Sequence, residues 1–252
     1  MRDDMTSKRL AAKHRMRVMA DFVWPRKSMV SGDRVAGAIS AEDWTQLNFI
    51  TRPICYQCGV PQPVELDDRE RCASCTANPP LWTRGRAALA YDDASRRPIL
   101  SLKRAGRRDG LAVLANWMIH AGRPLLDETD YLIPIPLHMT RLAHRGFNQA
   151  GWLASAIGRQ SGTRVIADGL IRKRRTGSQE GLSVLQRAEN VRNAFLVPSR
   201  HTDCVRNSRI VLIDDVFTTG ATVTAATRAL NRAGARNVDV LVLARVLRET
   251  QI

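Results

Sequence analysis

The sequence predicts an α/β protein, a parallel sheet flanked by helices with a small metal-binding module ahead of it. Three observations carry this prediction. In Arg209-Ile210-Val211-Leu212-Ile213, four branched apolar residues stand in a row, the pattern of a strand buried on both faces. A small-residue turn follows, then a helical pattern (Val223, Ala226, Ala229, Leu230, Ala233) and a second apolar run from Val238 to Val246, which completes a strand–helix–strand unit. Upstream, two Cys-x-x-Cys pairs (Cys55 and Cys58, Cys72 and Cys75) punctuate a loop-rich stretch.

A chain of 252 residues accommodates one substantial α/β domain and a small appended module, and 44% hydrophobic content is ordinary for a globular protein. Lys and Arg outnumber Asp and Glu by 39 to 24, giving a net charge of +15. The isoelectric point is near 10.8. Two readings of that charge stand level. It suits nucleic acid or phosphate-rich ligands, or it is Arg placed wherever a surface cation is tolerated, since it is spread along the chain. No stretch approaches the ~18 apolar residues of a membrane span, and the start lacks the apolar core of a signal peptide. A cytoplasmic protein with reduced thiols is expected.

In chain order, residues 1–50 read as a basic N-terminal segment and anchor. The first twenty or so carry only a thin apolar set (Leu10, Met16, Val18, Met19), and Leu47-Asn48-Phe49-Ile50 is the anchor. Residues 51–84 form the cysteine module. Four thiolates presented from two short knuckles suit tetrahedral Zn²⁺, and Gly59 suits the tight turn after the first pair. Two disulfides would need an oxidising compartment, and a redox pair would need a βαβ context that this stretch lacks. With all four positions filled by protein, such a zinc is structural. Residues 85–252 make up the α/β domain. Residues 85–91 lead in as an edge strand, and interrupted helical patterns follow through Ile99, Leu102, Leu111, Leu114 and Met118. Lys103, Arg104, Arg107 and Arg108 cluster in the break, as a solvated face or as a ligand path.

The chemistry concentrates where the buried strand ends. Ligands of open α/β sheets bind outside the carboxyl ends of strands, and here that end carries Asp214 and Asp215. The turn Thr218-Thr219-Gly220-Ala221-Thr222 offers backbone N–H groups, hydroxyls and a helix N-terminus to one anion. The carboxylates would repel that anion. They suit a ribose diol, or a Mg²⁺ bridging to phosphates. No G-x-x-x-x-G-K-[ST] or G-x-G-x-x-G loop competes with this cradle. The stretch looks like the signature of the type I phosphoribosyltransferases, which bind phosphoribosyl pyrophosphate (PRPP).

A second strand end lies at Tyr131-Leu132-Ile133-Pro134-Ile135-Pro136, followed by His138 and by Arg145-Gly146-Phe147-Asn148-Gln149, which opens a helix. Cations and amides at such a point suit a pyrophosphate opposite the 5′-phosphate. Between strand-like residues 170–171 and 194–197 lies a polar stretch with Thr176, Gln179 and Arg187. It reads as a lid over a bound diphosphate or as a charged hairpin.

Together these motifs resemble the ComF family of competence-associated proteins, which join a zinc motif to a phosphoribosyltransferase-like domain. The resemblance rests on Cys55-x-x-Cys58-Gly59, Cys72-x-x-Cys75, Pro134-Ile135-Pro136-Leu137-His138 and Arg145-Gly146-Phe147-Asn148-Gln149-Ala150. It continues through Thr176-x-x-Gln179, Arg187-x-x-Asn190 and the Asp214–Thr222 motif, all in the family's order. It implies the type I fold, with Asp214 and Asp215 on the ribose hydroxyls and Mg²⁺, and Thr218, Thr219, Gly220, Ala221 and Thr222 on the 5′-phosphate. Pro134, Ile135, Pro136, His138, Arg145, Asn148 and Gln149 would border the pyrophosphate. It also implies a role in DNA uptake or recombination, with single-stranded DNA and uptake proteins as partners. Phosphoribosyl transfer with pyrophosphate release, a non-catalytic DNA-handling accessory and a PRPP sensor all stay open. Many family members carry an earlier cysteine knuckle. Here residues 25–30 hold no cysteine, so a single zinc is expected.

Overall fold

The strand predicted around Ile213 forms the middle of the sheet. The computed structural model describes residues 27–35, 37–64, 69–102, 110–137, 146–172 and 194–247. The basic start, Lys103 to Arg108, His138 to Arg145, and the segment with Thr176, Gln179 and Arg187 lie outside the described residues. Seven strands are described: β1 (Gly85–Ala90), β2 (Tyr131–Pro134), β3 (Arg164–Val165), β4 (Ile171–Arg172), β5 (Phe195–Leu196), β6 (Arg209–Phe217) and β7 (Asn237–Arg245). The main sheet has the order β1-β7-β6-β2-β3, and every neighbouring pair is parallel. Strands β4 and β5 form a separate antiparallel pair.

The helices are α1 (Ala41–Thr45), α2 (Ala73–Ala77), α3 (Asp93–Leu102), α4 (Leu111–Leu126), α5 (Gln149–Ser161), α6 (Thr202–Val205) and α7 (Ala221–Arg232). Alternation along β6 splits the core in two. Val211 and Ile213 pack with Leu114, Met118, Leu153 and Ile157 of α4 and α5. Ile210 and Leu212 pack with Val223, Ala226 and Leu230 of α7. None of these four strand residues is more than 1% exposed. Each such burial stabilises the fold by roughly 1.5–3 kcal/mol, which is why the run carries no polar residue until Asp214.

This layering fixes a switch point. From β2 the chain leaves through α5 on one face to reach β3, and from β6 it leaves through α7 on the other face to reach β7. The crevice beyond the adjacent carboxyl ends of β2 and β6 is therefore where this architecture places a ligand. The anchor predicted near residue 49 adds to the outer edge: Ile50 N–H donates to Ala88 O at 2.9 Å, and Ala90 N–H donates to Asn48 O at 2.9 Å. Among the described residues, no helix is long and apolar enough to cross a membrane.

At the opposite end of the sheet, an ion pair joins the residue before β1 to β7. Arg84 donates to Asp239 through its backbone N–H (2.9 Å), Nε (3.2 Å) and Nη2 (2.7 Å). Asp239 is only 3% exposed. Replacing Arg84 with Ala strands that carboxylate in the core, and a loss of about 3–5 kcal/mol is expected from urea unfolding. A loss below about 1 kcal/mol, the range of an exposed pair, would show that the pair is not stabilising.

Candidate functional site

The two carboxylates lie at the crevice, on a strand that runs further than its apolar run suggested. Pairing of β6 with β2 stops at Pro134 opposite Ile213, closed by Ile135 N–H to Ile213 O at 2.9 Å. Pairing with β7 continues to Phe217 opposite Arg245. Asp214 and Asp215 thus sit in the strand, supported from one side, on the stretch that β2 no longer covers. Each is half-buried. Asp214 Oδ1 accepts the Asp215 N–H at 2.9 Å and Asp215 Oδ1 accepts the Val216 N–H at 2.8 Å, which orients both side chains along the backbone.

The turn follows at once. Thr218, Thr219, Ala221 and Thr222 are exposed, and Gly220 is buried. Gly220 is the N-cap of α7 at φ 78°, a left-handed conformation that favours glycine. A Cβ there would lie 2.8 Å from Cζ of Phe217 and 3.3 Å from Cη2 of Trp82. As N-cap, glycine brings no side-chain oxygen to the amides of the first helical turn, whose N–H groups lack intrahelical partners. Thr219 Oγ1 accepts from Ala221 N–H at 3.4 Å. Such an N-terminus is suited to an anion.

On the facing side, Asn148 is the N-cap of α5, and its Nδ2 donates to Ile135 O at 3.1 Å. That bond fastens the start of α5 to the end of β2 and uses one of the two Nδ2 hydrogens. Gln149 is 1% exposed, and its Nε2 is buried without a hydrogen-bond partner. Pro134, Ile135 and Pro136 stand at the strand end, whereas His138 and Arg145 lie outside the described residues.

The four predicted cysteines converge. The sulfurs of Cys55, Cys58, Cys72 and Cys75 lie within 4.8 Å of one another. Cys58 and Cys72 Sγ are 3.8 Å apart, matching the ~3.8 Å that a tetrahedron with Zn–S bonds of about 2.3 Å requires. Cys55 Sγ accepts N–H bonds from Cys58 (3.5 Å) and Cys72 (3.2 Å), the pattern of a knuckle holding a thiolate. Bonds from Cys58 and Cys75 hold the Cys55 thiol far below its ordinary range. The bond to Cys55 pushes Cys58 up to about 11. The convergence of the four sulfurs can therefore hold a metal such as zinc.

With this geometry in view, comparison with known proteins decides the family. The chain is 32% identical over 201 residues to the DNA utilization protein YhgH of Escherichia coli O6:H1, covering 78% of this chain and 86% of that protein. The chain belongs to the ComF family. Other relatives are the Competence protein ComFC of Bacillus subtilis (29% identity; 75% and 76% covered) and the Competence protein F of Haemophilus influenzae (36% identity; 46% and 50% covered). A family model for the phosphoribosyl transferase domain matches residues 142–251, which include the acidic pair and the turn. Among solved structures, the allosteric regulatory enzyme of purine biosynthesis is similar at 19% identity and a TM-score of 0.39, over 57% of this chain and 30% of that one. That likeness is too slight to reason from.

Sequence reasoning missed the residues behind the ComF turn. The Trp82 and Phe217 rings meet edge-to-face at 5.7 Å, and the Arg245 guanidinium lies 4.9 Å from the Phe217 ring centroid. The only local signal was an arginine closing the apolar run Val240–Ala244. Cys55→Ser should abolish stoichiometric zinc binding, and zinc affinity of the wild type should fall as pH is lowered, because protons compete for the sulfurs. Metal content equal to wild type in that variant, measured by atomic emission, would remove Cys55 from the ligand set.

Proposed function

We propose that the crevice binds PRPP, or a closely related ribose phosphate, with Mg²⁺, in a protein serving DNA uptake. The observation that carries this reading is the pairing of opposites at one strand end. Two carboxylates stand on the uncovered edge of β6, and a glycine-capped helix N-terminus follows five residues after Asp215. Carboxylates accept from a ribose diol, amides and hydroxyls donate to a phosphate, and the two functions adjoin as they do in a sugar phosphate. In this reading Asp214 and Asp215 hold the ribose hydroxyls and Thr218, Thr219, Gly220, Ala221 and Thr222 hold the 5′-phosphate. Pro134, Ile135 and Pro136, with His138 and Arg145, border the pyrophosphate. Mg²⁺, when bound, supplies charge neutralisation on the diphosphate.

In phosphoribosyl transfer, an acceptor forms a bond to the ribose anomeric carbon. The bond to the diphosphate oxygen breaks, and its electron pair leaves with pyrophosphate. The residues of this chain would act by holding the sugar in line and by stabilising departing charge, with no covalent nucleophile. A second reading keeps the ligand but not the turnover, as a DNA-handling accessory protein. It is favoured by the names of the relatives, a DNA utilization protein and competence proteins, and by the +15 charge.

Replacing Asp214 and Asp215 together with Asn should weaken Mg²⁺-PRPP binding at least tenfold, about 1.4 kcal/mol or more, with an unchanged melting temperature. Calorimetric titration decides it, and equal affinity in the variant would dismiss the assignment. Pyrophosphate release on adding single-stranded DNA or a nucleobase supports transfer, and binding without release supports the accessory reading.

A further inference from the structure

The cysteine module is not a separate appendage. Gly59, at φ 69°, comes so close to β1 that a Cβ would lie 2.3 Å from Gly85 O. Gly85 N–H donates to Gln57 O at 2.7 Å. Arg86 Nη1 donates to Tyr56 O at 2.9 Å, and Arg245 Nη1 donates to Cys58 O. Cys58, Trp82, Gly85, Arg86, Phe217 and Arg245 enclose a cavity of about 10 Å³ between the knuckle and the sheet, room for at most one water.

Arg245 poses a charge problem there. It is 5% exposed, and its Nε is buried without a hydrogen-bond partner. Among the described residues, no carboxylate forms an ion pair with Arg245 or with Arg86. Burial pulls the Arg86 guanidinium down, reinforced by neighbouring Arg84 and Arg52 and opposed by Asp239 and Cys55. An uncompensated buried guanidinium is costly. A divalent metal on four thiolates would carry a net charge of −2 in the knuckle whose Tyr56 and Cys58 carbonyls the two arginines bond.

Arg245 also reaches the other way. Its guanidinium covers the Phe217 ring, Val246 N–H donates to Phe217 O at 2.9 Å, and that ring with Trp82 leaves Gly220 no room for a Cβ. We infer that Arg245 is a positioning residue that couples metal occupancy of the cysteine cluster to the order of the Thr218–Thr222 turn. The metal–thiolate charge holds Arg245 in place, and Arg245 holds Phe217 against Gly220. Only the consequence for ligand binding rests on the proposed ribose-phosphate site; the coupling itself does not.

The test uses the full chain and no ribose phosphate. Zinc affinity is measured by competition with a chelating dye, and hydrogen exchange is followed by mass spectrometry on peptides covering residues 216–222 and, as control, residues 131–134. Arg245→Met should bind zinc about 10–100-fold more weakly, the usual effect of losing a partner outside the ligand shell, and Arg245→Lys should recover most of that loss. In the wild type, zinc removal should speed exchange at residues 216–222 and spare the control. Arg245→Met should show the fast turn even with zinc saturating. If Arg245→Met does not fold, Phe217→Leu tests the same link from its far end: the turn should exchange faster and lose its response to zinc, with a smaller loss of zinc affinity than Arg245→Met. Turn exchange indifferent to zinc, exchange rising equally in the control, or unchanged zinc affinity in folded Arg245→Met would each overturn the coupling. A turn that responds to zinc while calorimetry finds no PRPP binding would overturn the proposed ligand alone.

Discussion

A strand covered on both faces has nowhere to keep a polar side chain except beyond the reach of its neighbours, and the molecule is arranged around that constraint. Ile210, Val211, Leu212 and Ile213 are sealed by α7 on one side and by α4 and α5 on the other. The first position at which β6 can carry charge is the one where β2 stops pairing with it, and Asp214 and Asp215 occupy it. Because β7 still pairs with β6 there, the carboxylates stand on ordered backbone instead of a loop. A site on a strand end inherits the rigidity of the sheet. The helix whose N-terminal amides we propose as the anion site starts from the same strand, so both halves of the proposed cradle share one support.

What the sequence made legible follows from how local each feature is. Strands β2, β6 and β7 announce themselves through contiguous branched residues, and the cysteine cluster through spacing, because two knuckles bring four sulfurs together almost regardless of the rest. The edge strand at residues 85–91 and the helices after Leu111 and Asn148 were equally readable from their periods. The extension of β6 to Phe217 was not, since Asp-Asp reads locally as a strand stop and only β7 reveals otherwise. Nor was the role of Asn148. An asparagine before a helix suits a ligand and a cap alike, and its bond to Ile135 O depends on where another strand ends. The pairs Arg84–Asp239 and Arg245–Phe217 link distant parts of the chain and leave no local trace.

The arginine excess looks different once the fold is known. Part of it is internal: Arg84 is spent on Asp239, and Arg86 and Arg245 face the cysteine knuckle. These side chains make no case for a nucleic-acid partner, whatever they add to the net charge. A guanidinium suits such places because its fork satisfies several acceptors at once and its flat face lies over an aromatic ring. Any argument for a DNA partner from charge must therefore rest on the exposed arginines.

The same view explains why the cysteine module sits where it does. The outer edge of β1 would otherwise present unpaired amides and carbonyls, a hazard in any open sheet. Asn48 and Ile50 take up Ala90 N–H and Ala88 O, and the knuckle takes up Gly85 N–H. The far edge is treated by brevity, since β3 has only two residues, Arg164 and Val165. An edge cover built from a short loop needs its own source of rigidity, because so few residues bury little apolar surface. Four thiolates on one metal would supply it, and Arg86 and Arg245, which bond the knuckle carbonyls, would return the resulting charge to the sheet. Stability of the edge and electrostatic balance of the core thus meet in the same few residues, one strand away from the acidic pair.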